Sequence, residues 1–414
     1  MSGLEVIWDL SLKWIAANPI VSGMLAFLIG CVGVYAKTVV QTIAKKQTEK
    51  FLSPVVIEEE VFDEPLGPLL ANRTEEVLND LTSDDLIKIY GKKNTPFNIQ
   101  IGPTDWSFAS SRSLEPIGSG SISEQRITIK YSEEWFELDD ELNWLTRDRL
   151  RALEAATKGQ HLFNGDPFRI ISIGEEKGVR EIEVGRCKYF DSLRTSFSLD
   201  FVLPREGKTL REILHVSEGT YGKLGSDRLP NHMGLVVIVE TVDGLIVGQE
   251  RSSKVQIRPG TLSASVSGTF EKNDLTTGLN SVELVDALGG IVREMHGELG
   301  GQYFYDPVDF YFLGLMREFR RGGFPDMYFY YRSPYTFDEI MKNSEQAEEV
   351  FEVDNIVGFY VGSQQVIENF EGEKENFDLR VNQVLHDIEG QANLTLSLGI
   401  GLFYEMTVRR ALRL

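Results

Sequence analysis

Glu294 and Glu298 stand four residues apart in the run Arg293-Glu294-Met295-His296-Gly297-Glu298-Leu299-Gly300. On a helix that spacing puts both carboxylates on one face, one turn apart. Two acids so placed can grip one hard cation. Mg²⁺ takes a carboxylate or two from protein and fills its other positions with water and phosphate oxygens, so the chemistry implied is metal-assisted handling of a diphosphate. Glu271, Glu283 and Asp286 are the nearby acids that could complete the metal site or activate water. A phosphate also needs positive charge, and the densest cluster is Arg317, Arg320 and Arg321, followed by Gly322-Gly323, with Arg258 and Arg332 as further candidates. Their planar donors suit bidentate phosphate contacts. The competing use of each arginine is pairing with one of the chain's many acids. Tyr328, Phe329, Tyr330 and Tyr331 offer a surface for base stacking, although alternate members of a strand must face the core.

These residues need a frame. Val285, Leu288, Val292, Met295 and Leu299 recur three and four apart, which predicts an amphipathic helix carrying the two acids. Before it, 234–240 (GLVVIVE) is an apolar β run, Val242-Asp243-Gly244 is a hairpin signal, and 245–251 returns as a second strand. The segment 259–268 reads as a lead-in strand, and 309–316 and 326–332 as two more.

The segment Gly268–Gly301 resembles a Nudix box, whose pattern is Gly, five residues, Glu, seven residues, Arg-Glu-apolar-x-Glu-Glu-x-Gly-apolar. Arg293, Glu294, Met295, Glu298 and Gly300 match it in place. Gly297 stands where the first Glu of the pair belongs, Gly301 replaces the last apolar residue, and Val285 occupies the place of the leading Glu. With the order of strands on both sides, the resemblance covers about residues 226–365. It implies an α+β protein with a Nudix-like α/β/α sandwich, Glu294 and Glu298 as metal ligands with Mg²⁺ as cofactor, and Arg293 as a brace as well as a ligand-binding candidate.

The chain has 414 residues, enough for two or three domains. Its formal charge of -21, from 63 acids against 42 bases, excludes nucleic-acid duplexes as the main partner, because a phosphate backbone needs dense Lys and Arg. Cys31 and Cys187 have no metal-ligand spacing and suggest no disulfide, and the five histidines are scattered.

Residues 14–36 carry no charge between Lys13 and Lys37 and meet the ~20 residues a membrane-spanning helix needs. Ser22, Ala26 and Gly30 recur every fourth residue, as in helices that pack closely in lipid. Lys37, Lys45, Lys46 and Lys50 on one side, against Lys13 on the other, predict a single pass in the inner membrane with the C-terminal domains in the cytoplasm. The domain reading is 1–41 interfacial segment and transmembrane helix, 42–100 juxtamembrane connector, 101–225 accessory α+β lobe, 226–365 Nudix-like domain and 366–414 helical tail. The apolar run Leu394–Tyr404 is too short to cross a bilayer and is expected to pack on the core or on a partner subunit.

Two functions fit this order, the first being the preferred reading and the second its alternative. One is a membrane effector that senses a nucleotide or cyclic oligonucleotide, assembles as a homo-oligomer and disrupts the bilayer; the domain order resembles the transmembrane Nudix effectors of the cyclic-oligonucleotide antiphage systems (CBASS). The other is a tethered, Mg²⁺-dependent hydrolase of nucleoside diphosphates linked to another group.

Overall fold

The structure is a computed structural model. It describes residues 99–104, 106–108, 110–156, 164–200, 202–203, 206–216, 224, 228–252, 260–278, 283–301 and 307–413. These lie within one compact unit. The expected transmembrane helix at 14–36, the interfacial segment before it and all but the last two residues of the 42–100 connector fall outside the described residues. None of the described helices is long and apolar enough to cross a membrane.

The element order explains the layers. Strands β1 (Ile99–Ile101), β2 (Trp106–Phe108), β3 (Ser110–Leu114) and β4 (Ile127–Trp135) precede helix α1 (Asp140–Ala156), hairpin β5 (Phe168–Glu176) and β6 (Val179–Arg186), and short helix α2 (Tyr189–Arg194). Then come β7 (Gly234–Glu240), β8 (Leu245–Arg251), β9 (Leu262–Ser263), β10 (Val266–Thr269), β11 (Leu275–Thr277), β12 (Glu283–Val285) and helix α3 (Ala287–Leu299). Strands β13 (Phe310–Glu318) and β14 (Phe324–Arg332), helix α4 (Phe337–Ser344), strand β15 (Val353–Tyr360) and helices α5 (Ser363–Glu368), α6 (Phe370–Asp387) and α7 (Leu394–Leu412) complete the order.

The main sheet runs β15-β8-β7-β14-β13-β3, with β10 continuing along β7 and β9 along β8; β7 and β14 are parallel, the rest antiparallel. Its central strands are buried on both sides, which is why β7 reads as an unbroken apolar run instead of an alternating one. Leu235, Val237 and Val239 join Ile291, Met295 and Leu299 of α3 in one core, whereas Val236 and Ile238 join Leu396, Ile400 and Phe403 of α7 in the other. Helices thus cover both faces, as an α/β/α sandwich requires. A Cβ at Gly399 would lie 2.5 Å from Ile238 Cδ1, so α7 seats its backbone directly on β7. The Leu394–Tyr404 run therefore packs on the core of its own chain.

The same logic corrects the stacking surface expected from Tyr328, Phe329, Tyr330 and Tyr331. All four are buried in β14. Phe329 and Tyr331 face the α3 core and Tyr328 and Tyr330 the α7 core. The aromatic run marks a strand packed on both faces and presents no open ring.

A second sheet runs β11-β12-β4-β6-β5. Its hairpin turns on Lys177 and Gly178, both at positive φ (53° and 75°), the pairing that a two-residue turn requires. Strands β11 and β12 come from the segment assigned to the Nudix-like domain, while β4, β5 and β6 come from the segment assigned to the accessory lobe. Ile129, Phe168, Ile170, Ile182 and Val184 share their core with α3, and β5 bonds to the chain entering β7 (Ile170 N to Asn231 O, 3.1 Å; Met233 N to Phe168 O, 2.8 Å). In the other direction β3 forms an edge of the main sheet. The boundaries at 100, 225 and 365 therefore do not separate independent bodies.

His232 sits at this junction, fully buried with both ring nitrogens unbonded and with Tyr189 and Phe324 against its edges. Burial, reinforced by the Arg321 charge, lowers its pKa to about 3. The folded state thus refuses a proton that the unfolded chain takes up below about pH 6.5. The stability linked to this proton is complete above that value and is lost as the pH drops toward 3, by up to about 1.4 kcal/mol per pH unit. Chemical denaturation at pH 7.0 and 5.0 should show a change in unfolding free energy on acidification that is more negative in the parent than in His232→Leu.

Candidate metal centre

Helix α3 begins at Asp286, whose side chain accepts from Gly289 N (3.0 Å) and caps the helix. That use accounts for the carboxylate two turns away from Glu294, so Asp286 does not join the acids further along. At the other end of α3, Glu294 and Glu298 turn in beneath β10. Thr269 N donates to Glu294 Oε1 (3.0 Å) and Ser267 N donates to Glu298 Oε1 (2.9 Å). Both glutamates are buried. The residue between those two donors is Gly268, and a Cβ there would fall 2.1–2.4 Å from the Glu294 carboxylate. Glycine is required because the carboxylate fills that space.

A third acid converges on the pair. Glu349 comes from the turn after α4, and one carboxylate oxygen from each of Glu294, Glu298 and Glu349 lies within 4.8 Å of the others. Sequence reasoning passed over Glu349, because no spacing links it to the helix. Glu271 lies nearby, but its carboxylate faces Arg293 (3.1 Å) and caps the turn at Lys272–Asp274. Glu283 is exposed on β12.

Arg293 acts as the brace. It donates to both oxygens of Asp274 (3.0 and 2.9 Å), to Thr269 O (2.7 Å) and to Glu294 Oε1 (2.9 Å), tying helix, strand and turn together. Of the other arginines named from sequence, Arg317 and Arg321 bond within the protein. Arg317 is buried and donates to Gly323 O (3.0 Å). Arg321 is paired with Glu318 and Asp326 and lies over the Phe324 ring. Arg332 is half-buried at the end of β14. Arg258 and the side chain of Arg320 lie outside the described residues. A cation the sequence did not single out, Arg251 at the end of β8, approaches Glu352 (4.0 Å), and its charge acts on Glu298.

Burial dominates the electrostatics. It raises the Glu294 pKa against the opposing charge of Arg293, and it raises Glu298 well above the usual carboxylate range, with Glu294 adding to the effect. Burial, then the charges of Glu294 and Glu352, push Glu349 up to about 7. Three carboxylates this close cannot all ionise without a counter-charge. An all-oxygen, all-carboxylate donor set with space kept clear by Gly268 fits a hard divalent cation, Mg²⁺ among them.

No family model matches the chain, and no curated protein matches it. Among solved structures it is similar to DR0079 from Deinococcus radiodurans, at 12% identity over 36% of this chain and 83% of that one, with a TM-score of 0.23. It is also similar to a MutT protein from Methanosarcina mazei Go1, at 14% identity over 36% and 92%, with a TM-score of 0.21. The chemistry of the centre is accordingly read from its own geometry.

Each of these glutamates has a folded pKa above its unfolded value, so the stability linked to its proton is present below about pH 4.5 and is lost as pH rises through the folded pKa, which for Glu349 is about 7. Without divalent cations the melting temperature should fall between pH 6 and 8. Mg²⁺ should reverse that fall, and Glu349→Gln should reduce it.

Proposed function

We propose that the centre is a divalent-cation-dependent site for a diphosphate-linked nucleotide, with the Nudix-like hydrolase chemistry that the Arg293–Gly300 pattern suggests. The convergence of Glu349 on Glu294 and Glu298 carries this reading, because it supplies the third carboxylate that the helix lacks at Gly297. Glu294 and Glu298, each fixed by a backbone N–H, would hold Mg²⁺. The bound ion would offset phosphate charge and polarise a phosphoryl oxygen.

The chain's own groups divide the remaining work. Arg293 keeps the Glu294 carboxylate in place, and Arg251 adds positive charge on the β8 side of the cluster. Glu349, with its pKa near 7, is suited to accept a proton from an attacking water at neutral pH. The effector reading, with a cyclic oligonucleotide as signal, a homo-oligomer and a disrupted inner membrane, shares this ligand site and differs in requiring binding without turnover. A carboxylate set complete enough to bind a cation and move a proton favours turnover.

The full chain should therefore hydrolyse ADP-ribose or a dinucleoside polyphosphate in Mg²⁺ and lose that activity in EDTA. Glu349→Gln should lower kcat by about 10²–10⁴-fold. Tight binding of a cyclic oligonucleotide by a protein that cleaves none of these compounds would replace the hydrolase with the sensor.

A further inference from the structure

The two glycines that interrupt the acid-bearing motif, Gly297 and Gly301, lie where one segment docks. Gly297 O accepts from Glu349 N (2.9 Å), which satisfies a last-turn carbonyl that α3 cannot pair internally. A Cβ at Gly297 would lie 3.3 Å from the Glu349 carboxyl carbon and 3.5 and 3.6 Å from its oxygens. A Cβ at Gly301 would meet the Asn343 side chain at 3.2–3.3 Å, and one at Gly300 would overlap Asn343 O at 2.2 Å. Gly300 and Gly301 also turn at positive φ (64° and 79°). Together the three glycines clear a seat at the end of α3 for residues 343–349.

We infer that Gly297 is a positioning residue: its missing side chain is what admits the Glu349 carboxylate, so an acid has been relocated from the helix to the docked turn and not lost. The inference rests on the cation-site reading above but concerns which residue may occupy one volume. A glutamate at 297 would project a carboxylate into space that Glu349 already fills, crowding a fourth like charge into a buried cluster. If the centre were instead eroded, the same substitution would restore an absent ligand.

Mn²⁺ titration of the full chain by calorimetry separates these alternatives. Gly297→Glu should weaken Mn²⁺ binding by about tenfold, Glu349→Ser should weaken it at least as much, and the double variant should return to within about threefold of the parent. Tighter binding by Gly297→Glu alone would overturn the inference, as would a double variant no better than Glu349→Ser. Metal-free melting curves of the same four proteins give the second readout. Gly297→Glu should lower the melting temperature and Glu349→Ser should restore it, whereas two additive losses would overturn the inference. A parent protein that binds no Mn²⁺ would defeat the cation reading, and the melting cycle would still decide the claim about position.

Discussion

Two buried carboxylates held by backbone N–H groups are the constraint to which the rest of this molecule answers. Glu294 and Glu298 lie out of water, where charge is costly, and each accepts from a backbone N–H of β10, which can move only with the strand. Such donors are fixed only if the strand is fixed. That is why β10 extends the pairing of β7, the most thoroughly buried strand of the main sheet, and why Arg293 crosses from the helix to Thr269 O and Asp274.

The remaining architecture supplies rigidity from both sides. Helix α7 lies close enough to β7 for Gly399 to touch Ile238, and the alternate residues of β7 and β14 divide between two cores. Buried Glu240 accepts from Tyr330 Oη (2.8 Å) and Ser363 N (2.9 Å), which pins the end of β7 to β14 and to the start of α5. A strand locked on two faces and at its end cannot shift its register without exposing one core. The acids beneath its continuation inherit that precision.

Local periodicity carried most of what was legible in the sequence. The four-residue spacing of Glu294 and Glu298, the apolar run of β7 and the turn at Lys177-Gly178 each follow from contacts within a few residues. Glu349 was not legible, since its place depends on how α4 and the turn after it pack against the far end of α3. The arginines at 317 and 321 were weighed between a ligand and the chain's acids, and for Arg321 the acids within a few positions, Glu318 and Asp326, take the side chain. The aromatic run of β14 was ambiguous because a strand buried on both faces lacks the alternation that separates inside from outside. Nor does local composition show that 275–277 and 283–285 complete a sheet begun before residue 190.

That last pairing bears on modularity. Strand β12 bonds to β4, and its next residue, Asp286, caps the helix that bears the acids. The earlier segment is consequently part of the mooring of α3, and a fragment cut at residue 226 would leave Leu284 without Lys130 beside it and the core around Met295 without Ile129, Phe168, Ile170, Ile182 and Val184. Lobe and acid helix share one core, so excision of what precedes β7 would open that core to water.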